Sequence, residues 1–341
     1  RSPNPFKVGM KLEAIDPDNQ RLFCVATIEE KLGYRIKVHF DGYSPMYDFW
    51  VNADSPNIFY AGFCQSTSRV LQVPSKWSSK KFDWSEYLDH TNSIGAQKTM
   101  FPRLSKPNDE NPFEKGMKLE TMYQGNIYAA TVIDVLECRV LIEMDGQPDI
   151  PAMWMNIFSP YLHPCNYHST VENPDCFVPP RKPFSWSEYL KDTGSKEAPP
   201  EFLFFRTRSP MEFEPGLKLE VVDRVNRQLI RPATVLCRNE YKIQVLFDGF
   251  DITFAYWLED DSEDIHPINW SEKTGHPIEH PVGFSKSLDN GLCPTAGCRG
   301  IGNANFSDRF FHDNDKECPY NKENWMKLLI QKLPLRVETK K

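Results

Sequence analysis

Short stretches in which β-branched and aromatic residues alternate or cluster recur in the chain with a period of roughly 100 residues. In the first stretch, residues 24–28 and 34–40 flank the turn signal Lys31-Leu32-Gly33, which predicts two strands joined by a turn. The pattern returns at residues 129–133 with 139–142, and at 233–236 with 241–246. Because closing a short curved sheet removes its exposed edges, we expect a mainly β fold of three small barrels.

Some positions are shared by all three copies. They are Gly9–Glu13, Gly116–Glu120 and Gly216–Glu220, the Asp-Gly pairs at 41, 145 and 248, and Trp50, Trp154 and Trp257. A unit of this length is a domain rather than a short solenoid element. We interpret the shared positions as scaffold and the three tryptophans as core.

A second set of positions is shared by the outer copies only. In the first copy it comprises Asp16, Asn19, Phe40, Tyr43 and Tyr47, and in the third Asp223, Asn226, Phe247, Phe250 and Phe254. The middle copy has Tyr123, Met144, Gln147 and Pro151 instead. Joint loss of a whole set is expected of a pocket and not of independent packing residues, so we expect the middle repeat to be structural.

The chemistry of the set points to a cation. Aromatic faces attract a cation with about 2 kcal/mol or more when it is desolvated, and a carboxylate adds a charge-assisted hydrogen bond to an ammonium N–H. Mono- and dimethyl-lysine carry such an N–H and trimethyl-lysine does not. The alternative is that the aromatics are core and that the Asp-x-x-Asn sequence only shapes a turn. Tyrosines make the first set a better cation site than the all-phenylalanine third set.

Between the copies lies a recurring arm, at residues 82–88 and 184–190. Ser85 or Ser187 is a candidate cap for a short helix, whose aromatic face must pack on a barrel to be stable. Near the end of the chain, Trp325, Leu328 and Leu329 have helical spacing. They either cap the core or fill the slot of an arm that the first copy lacks.

The bulk composition narrows the class of protein. A formal net charge of −7 argues against a general nucleic-acid coat and suits a basic partner. No apolar run reaches the length of a membrane span, so we expect no membrane. Motifs of metalloproteases, serine hydrolases and nucleotide-binding enzymes are absent from the sequence, which favours a non-enzymatic protein.

Four residues form a predicted zinc site, namely Cys293, Cys298, His312 and Cys318. Three thiolates and one imidazole make a closed tetrahedral site, which is structural rather than catalytic. The segment resembles a CCHC finger of the myelin transcription factor type, although Asn303 replaces a usual histidine and the spacing to His312 is one residue longer. DNA contact by this finger is left open.

The repeated motifs, the Phe-x-Trp-x-x-Tyr-Leu arms and the His-Pro pairs at 163–164 and 266–267 resemble malignant brain tumour (MBT) repeats. Three such repeats followed by a zinc finger resemble the lethal(3)malignant brain tumour family of nuclear chromatin repressors. The resemblance implies three Tudor-like, SH3-like barrels with swapped helical arms in a three-bladed propeller, and cages at the outer-copy positions given above. In vertebrate relatives the middle repeat carries the working pocket, whereas here the middle repeat lacks it.

The resulting prediction is a nuclear transcriptional repressor that binds mono- or dimethyl-lysine of histone tails, chiefly through repeat 1. The alternative is a scaffold that recruits corepressor or transcription-factor peptides and retains vestigial cages.

The predicted domain boundaries are 1–75 for the first core, 76–180 and 181–284 for the second and third repeats with their arms, 288–325 for the finger, and 326–341 for a C-terminal helix and tail.

Overall fold

The computed structural model describes residues 4–77, 81–105, 111–180, 183–281, 312, 314–318, 321 and 323–325. Within this part of the chain the fold is mainly β, as predicted, and contains three sheets. Each sheet is a meander in which a long central hairpin pairs with shorter flanking strands, so that every repeat has its own curled core.

The first sheet has the order β4-β3-β2-β1-β5, with β6 paired to β2. Its strands are β1 Lys11–Ile15, β2 Phe23–Leu32, β3 Arg35–Phe40, β4 Phe49–Asn52, β5 Ile58–Phe59 and β6 Leu71–Gln72. The second has the order β10-β9-β8-β7-β11, with β12 parallel to β8. Its strands are β7 Lys118–Tyr123, β8 Asn126–Leu136, β9 Arg139–Met144, β10 Met153–Asn156, β11 Leu162–His163 and β12 Phe177–Val178.

The third sheet has the order β16-β15-β14-β13-β17. Its strands are β13 Lys218–Val222, β14 Ile230–Asn239, β15 Lys242–Phe247, β16 Tyr256–Glu259 and β17 Ile265–His266. The α-helices are α1 Phe63–Ser66, α2 Trp84–Thr91, α3 Trp186–Thr193, α4 Pro200–Phe205 and α5 Trp270–Thr274. Short 3₁₀ turns at Pro45–Tyr47 and Ile252–Phe254 follow the central hairpins of the first and third sheets.

The central hairpins are longer than the sequence pattern predicts. Strand β2 continues to Leu32, beyond the predicted end at Ile28, and the turn falls at Gly33. A register shift between Ile28 and Glu30 explains the difference, because a bulge breaks the alternation that marks a strand while hydrogen bonding continues past it. The same irregularity occurs in β8 and β14.

The shared motif residues form a polar scaffold, which is largely buried in the first two repeats and more exposed in the third. Lys11 donates to Asp41 and to the hydroxyl of Thr27, and Tyr87 of α2 donates to the same Asp41 carboxylate. The second repeat repeats this with Lys118, Thr131, Asp145 and Tyr189, and the third with Lys218, Thr234 and Asp248. These interactions tie the first strand to the end of the hairpin, which confirms that the Lys of the first motif and the Asp-Gly pair are scaffold.

The glutamate of the first motif anchors the helical arm. Glu13 is buried and accepts hydrogen bonds from the amides of Gly62 and Cys64 and from Trp84 Nε1 at 2.8–2.9 Å. Glu120 has equivalent partners, including Trp186 Nε1 at 2.6 Å. Each arm therefore packs on the sheet that precedes it in sequence, as a swapped arm does. Asp83 caps α2 with its side chain, rather than the predicted Ser85.

The described residues divide into two compact units. The first unit comprises the described residues within Arg1–Ala14, Cys24–Met100 and Pro210–Arg336. The second unit comprises the described residues within Ile15–Phe23 and Phe101–Ser209.

Two of the three shared tryptophans lie in the first unit. Trp50 is buried, as predicted, but Trp257 is 43% exposed, so its assignment to the core is wrong. Trp257 lies on β16, an edge strand of the third sheet, where one face of the strand is open to solvent.

Candidate functional site

Two loops with matching turn hydrogen bonds carry the predicted aspartates. Asp16 Oδ1 accepts hydrogen bonds from the amides of Asp18 and Asn19 at 2.8 and 3.3 Å. Asp223 Oδ1 accepts from Val225 and Asn226 at the same two distances. In both loops one carboxylate oxygen therefore shapes the turn, as the Asp-x-x-Asn spacing predicts, and the second oxygen is left for another partner.

The second oxygen distinguishes the two loops. Asp223 is 0% exposed, and its Oδ2 accepts from Arg231 Nε at 2.7 Å. Asp16 is half-buried, and no side chain among the described residues donates to its Oδ2. Burial raises the pKa of the Asp16 carboxyl, and the neighbouring Asp18 raises it further.

The Asp16 loop is held by the second repeat within the second compact unit. Gln20 accepts a hydrogen bond from the Trp154 amide at 2.7 Å through its side chain, and from Trp154 Nε1 at 3.0 Å through its carbonyl. The guanidinium of Arg139 lies 5.3 Å from the Trp154 ring centroid. Trp154 is thus an anchor for the loop as well as a half-buried scaffold residue, a role that sequence comparison missed.

The aromatic residues of the first repeat lie together in the first unit. Phe40 ends β3, Gly42 supplies the left-handed turn at φ 86°, and Tyr47 ends the 3₁₀ turn. The ring centroids of Phe40 and Tyr43 are 6.2 Å apart. Those of Tyr43 and Tyr47 are 6.3 Å apart, and the planes of these two rings are 88° to each other. Phe40 is buried but Tyr43 is 44% exposed. The three rings form an aromatic surface that solvent reaches.

The aromatic residues of the third repeat lie closer together and deeper. Centroids of Phe247 and Phe250 are 5.4 Å apart, and those of Phe250 and Phe254 are 5.5 Å apart. Phe250, the counterpart of Tyr43, is only 8% exposed. The backbone of the turn is the same, since Gly249 has φ 87° and Phe250 donates to the Phe247 carbonyl as Tyr43 does to that of Phe40.

A cation of the same chain lies against this cluster. The guanidinium carbon of Arg231, on β14, is 5.3 Å from the Phe250 centroid and 5.9 Å from that of Phe247. Arg231 is 3% exposed and pairs with Asp223. The structure thus brings all five predicted residues of the third repeat into one buried region, with an arginine that sequence analysis did not include.

The C-terminal segment covers the same cluster. The Trp325 ring is buried, with its centroid 5.3 Å from that of Phe254 and 5.9 Å from that of Tyr256. The guanidinium carbon of Arg224 lies 5.7 Å from the ring centroid of Trp325 and 5.1 Å from that of Tyr256. Of the two alternatives for Trp325, the structure supports the one in which it caps a core.

The predicted zinc ligands are only partly described. His312 and Cys318 are buried, and Cys318 belongs to the core cluster of the third repeat. Cys293 and Cys298 lie outside the described residues, as does the predicted helix beyond residue 325. Where the structure describes the chain, no three metal-binding side chains come together, so the four-ligand site remains a prediction.

The middle repeat has the backbone of the site without its chemistry. Met144 is buried, Gln147 donates its amide to the Met144 carbonyl at 3.3 Å, and Gly146 has φ 72°. Tyr123 packs edge-on against Tyr128, with their ring centroids 6.5 Å apart. Gln147 and Pro151 offer no aromatic face, so the hairpin end keeps its shape and offers a cation fewer aromatic partners.

Three sheets with this repeated scaffold, two of them with an aromatic cluster after the central hairpin, are typical of an MBT repeat protein. The mbt repeat family matches residues 10–78, 117–181 and 217–285, and the chain belongs to that family. No described helix is both long and apolar enough to cross a lipid bilayer.

Similar proteins agree with this assignment. The chain is 40% identical over 337 residues to human (Homo sapiens) Lethal(3)malignant brain tumor-like protein 4, covering 95% of this chain and 53% of that protein. It is 39% identical over 317 residues to Lethal(3)malignant brain tumor-like protein 1 of Gallus gallus, a match that covers 91% of this chain and 37% of that protein. The chain thus spans about half the length or less of these curated relatives.

A solved structure is similar as well. It is the crystal structure of the four MBT repeats of Drosophila melanogaster Sfmbt in complex with the peptide RHR(me)KVLR. The TM-score is 0.53 and the identity 27%, with 81% of this chain and 67% of that chain covered.

Proposed function

We propose that this chain is the methyl-lysine-binding region of a nuclear chromatin regulator, and that repeat 1 binds mono- or dimethyl-lysine of histone tails. Asp16, Asn19, Phe40, Tyr43 and Tyr47 carry the binding. The family, the resemblance to lethal(3)malignant brain tumour proteins and the methylated peptide bound by Sfmbt support a reader that binds and does not catalyse.

One observation favours repeat 1 over repeat 3. The repeat 1 aspartate keeps an oxygen to which no described side chain donates, and its aromatic residues include the 44% exposed Tyr43. A methylated ammonium needs both, since aromatic faces stabilise the charge and the carboxylate accepts its N–H. In repeat 3 the equivalent oxygen is occupied by Arg231.

The test is titration calorimetry of a dimethyl-lysine histone peptide against wild type, Asp16→Asn and Tyr47→Ala. We expect weak binding by wild type, because a single modified side chain buries little area. Each variant is expected to lose the binding heat while keeping the wild-type melting temperature.

Gln147→Ala is the matched control, because Gln147 stands in repeat 2 where Tyr43 stands in repeat 1. It is expected to bind like wild type. Retention of full affinity by Asp16→Asn and Tyr47→Ala would remove repeat 1 as the binding site.

We also propose that Cys293, Cys298, His312 and Cys318 hold one structural zinc ion per chain. The burial of His312, and of Cys318 in the core cluster of the third repeat, supports this, since a closed site excludes water from its ligands. Elemental analysis of the purified protein should give one zinc per chain, and Cys318→Ser should lose it. Zinc-free protein with unchanged folding would refute the proposal.

A further inference from the structure

The third repeat contains a counterpart of each residue of the proposed repeat 1 site, with phenylalanines in place of Tyr43 and Tyr47, but these counterparts already contact a cation. Asp223 Oδ2 accepts from Arg231 Nε at 2.7 Å, and Phe250 and Phe247 lie 5.3 and 5.9 Å from the guanidinium carbon. This is the arrangement expected of a bound alkylammonium, namely one charge-assisted hydrogen bond and aromatic faces within about 6 Å.

Burial shows that this cation is not easily displaced. Asp223 is 0% exposed and Arg231 is 3% exposed. Removing either partner of such a pair leaves an uncompensated charge in a dry environment. Trp325 further covers the cluster at Phe254. An external lysine would have to displace both a salt bridge and a packed indole.

The strand register identifies the corresponding residue in each repeat. Ala233 pairs with Phe247 across the third hairpin, as Ala26 pairs with Phe40 across the first. The residue two positions earlier lies on the same face of the strand. It is Arg231 in repeat 3 and Cys24 in repeat 1.

We propose that Arg231 is a built-in ligand that closes the third repeat to methyl-lysine, and that the residue at this strand position determines whether an aspartate-containing cage of this protein is open. Cys24 is too short and carries no charge to occupy such a cage, so repeat 1 accepts an external cation. This inference extends the proposed function of repeat 1, but its central claim concerns repeat 3 and is tested there.

The first test opens repeat 3 in a background without the repeat 1 aspartate. The probe is the dimethyl-lysine amino acid, titrated against Asp16→Asn and against Asp16→Asn combined with Arg231→Ala. The double variant is expected to bind about tenfold or more tightly than its parent, and added dimethyl-lysine should raise its melting temperature by refilling the site. Asp16→Asn with Arg231→Lys, which keeps a cation, is the control and should not gain binding.

The second test closes repeat 1. Cys24→Arg should abolish binding of a dimethyl-lysine peptide, whereas Cys24→Ser should bind like wild type, both with a wild-type circular dichroism spectrum. If wild type binds no peptide, the proposed function fails while the repeat 3 test still decides the present inference.

A third measurement is made on wild type and uses the conservative variant Arg231→Lys only to assign the resonance. In wild type, the Arg231 Nε–H should give a slowly exchanging ¹⁵N resonance that is absent from Arg231→Lys. Rapid solvent exchange of this proton would overturn the proposal, because a built-in ligand is shielded. A folded Arg231→Ala double variant without any gain in dimethyl-lysine binding, or wild-type binding that depends on Asp223 and not on Asp16, would overturn it as well.

Discussion

The first and third repeats contain the same motif in two states. Their aspartate turns have the same two hydrogen-bond distances, 2.8 and 3.3 Å, and their aromatic turns share a left-handed glycine. Yet Tyr43 is 44% exposed and Phe250 is 8% exposed, and within the described part of the chain Asp223 has an arginine partner whereas Asp16 has none. The comparison shows that the same motif is packed into a core in the third repeat and is more exposed in the first, and that Arg231, a residue outside the motif, contacts it in the third.

The largest expected effect separates a structural aspartate from a binding aspartate. Asp223→Ala leaves Arg231 buried without its partner and should lower the free energy of unfolding by about 3–5 kcal/mol. Asp16→Ala removes only the turn hydrogen bonds and should cost about 1 kcal/mol. Urea denaturation of both variants checks this.

Because both aspartates shape the same turn, the difference between the two losses isolates the buried pair. Equal destabilisation by the two substitutions would contradict the distinction between an open and a closed cage. Arg231→Ala is the complementary variant and should be as destabilising as Asp223→Ala.

The strand pairs and the scaffold could be predicted from sequence. The strand pairs depend on local alternation of apolar and polar residues, and the scaffold residues belong to motifs that recur in all three repeats. Lys11 and Asp41 recur in every copy, and the structure shows the network that requires them. The hairpin lengths could not be predicted, because the bulge after Ile28 breaks the alternating pattern.

The state of the third cage was also beyond the sequence comparison. Arg231 lies in a strand between apolar residues, and a charged residue there was a usable signal, but only the fold shows that its guanidinium reaches Asp223. Trp325 is about 70 positions from Phe254, so no local pattern indicates that the two rings meet. Trp257 recurs in the motif yet lies on an edge strand, where repetition does not imply burial.

The next prediction tests whether the ligand uses Asp16 Oδ2, the oxygen to which no described side chain donates. Trimethyl-lysine has no N–H to donate, so it forfeits a charge-assisted hydrogen bond that contributes about 1.5–3 kcal/mol. Wild type should therefore bind a trimethyl peptide about tenfold or more weakly than mono- and dimethyl peptides. Competition titration with the three peptides measures this.

In Asp16→Asn the preference should shrink, because the carboxylate that creates it is gone. Trimethyl binding as tight as dimethyl binding in wild type would mean that the aromatic residues act alone. Asp223→Asn should not change the preference, since the third cage is closed by its own arginine.

The smallest expected effect is a dependence of affinity on pH. Burial raises the pKa of Asp16 above its ordinary value of 3.8 in the free protein. A bound ammonium favours the carboxylate and lowers that pKa, so binding is strongest above the free-state pKa and weakens as the pH falls through it. Protonation of Asp16 competes with the ligand, so the weakening should begin at a higher pH than an aspartate with an ordinary pKa would give.

Titration of the dimethyl peptide at a series of acidic pH values should show this decline in affinity for wild type, and a pH-independent residual heat for Asp16→Asn. A decline of equal size in that variant would assign the proton to another group.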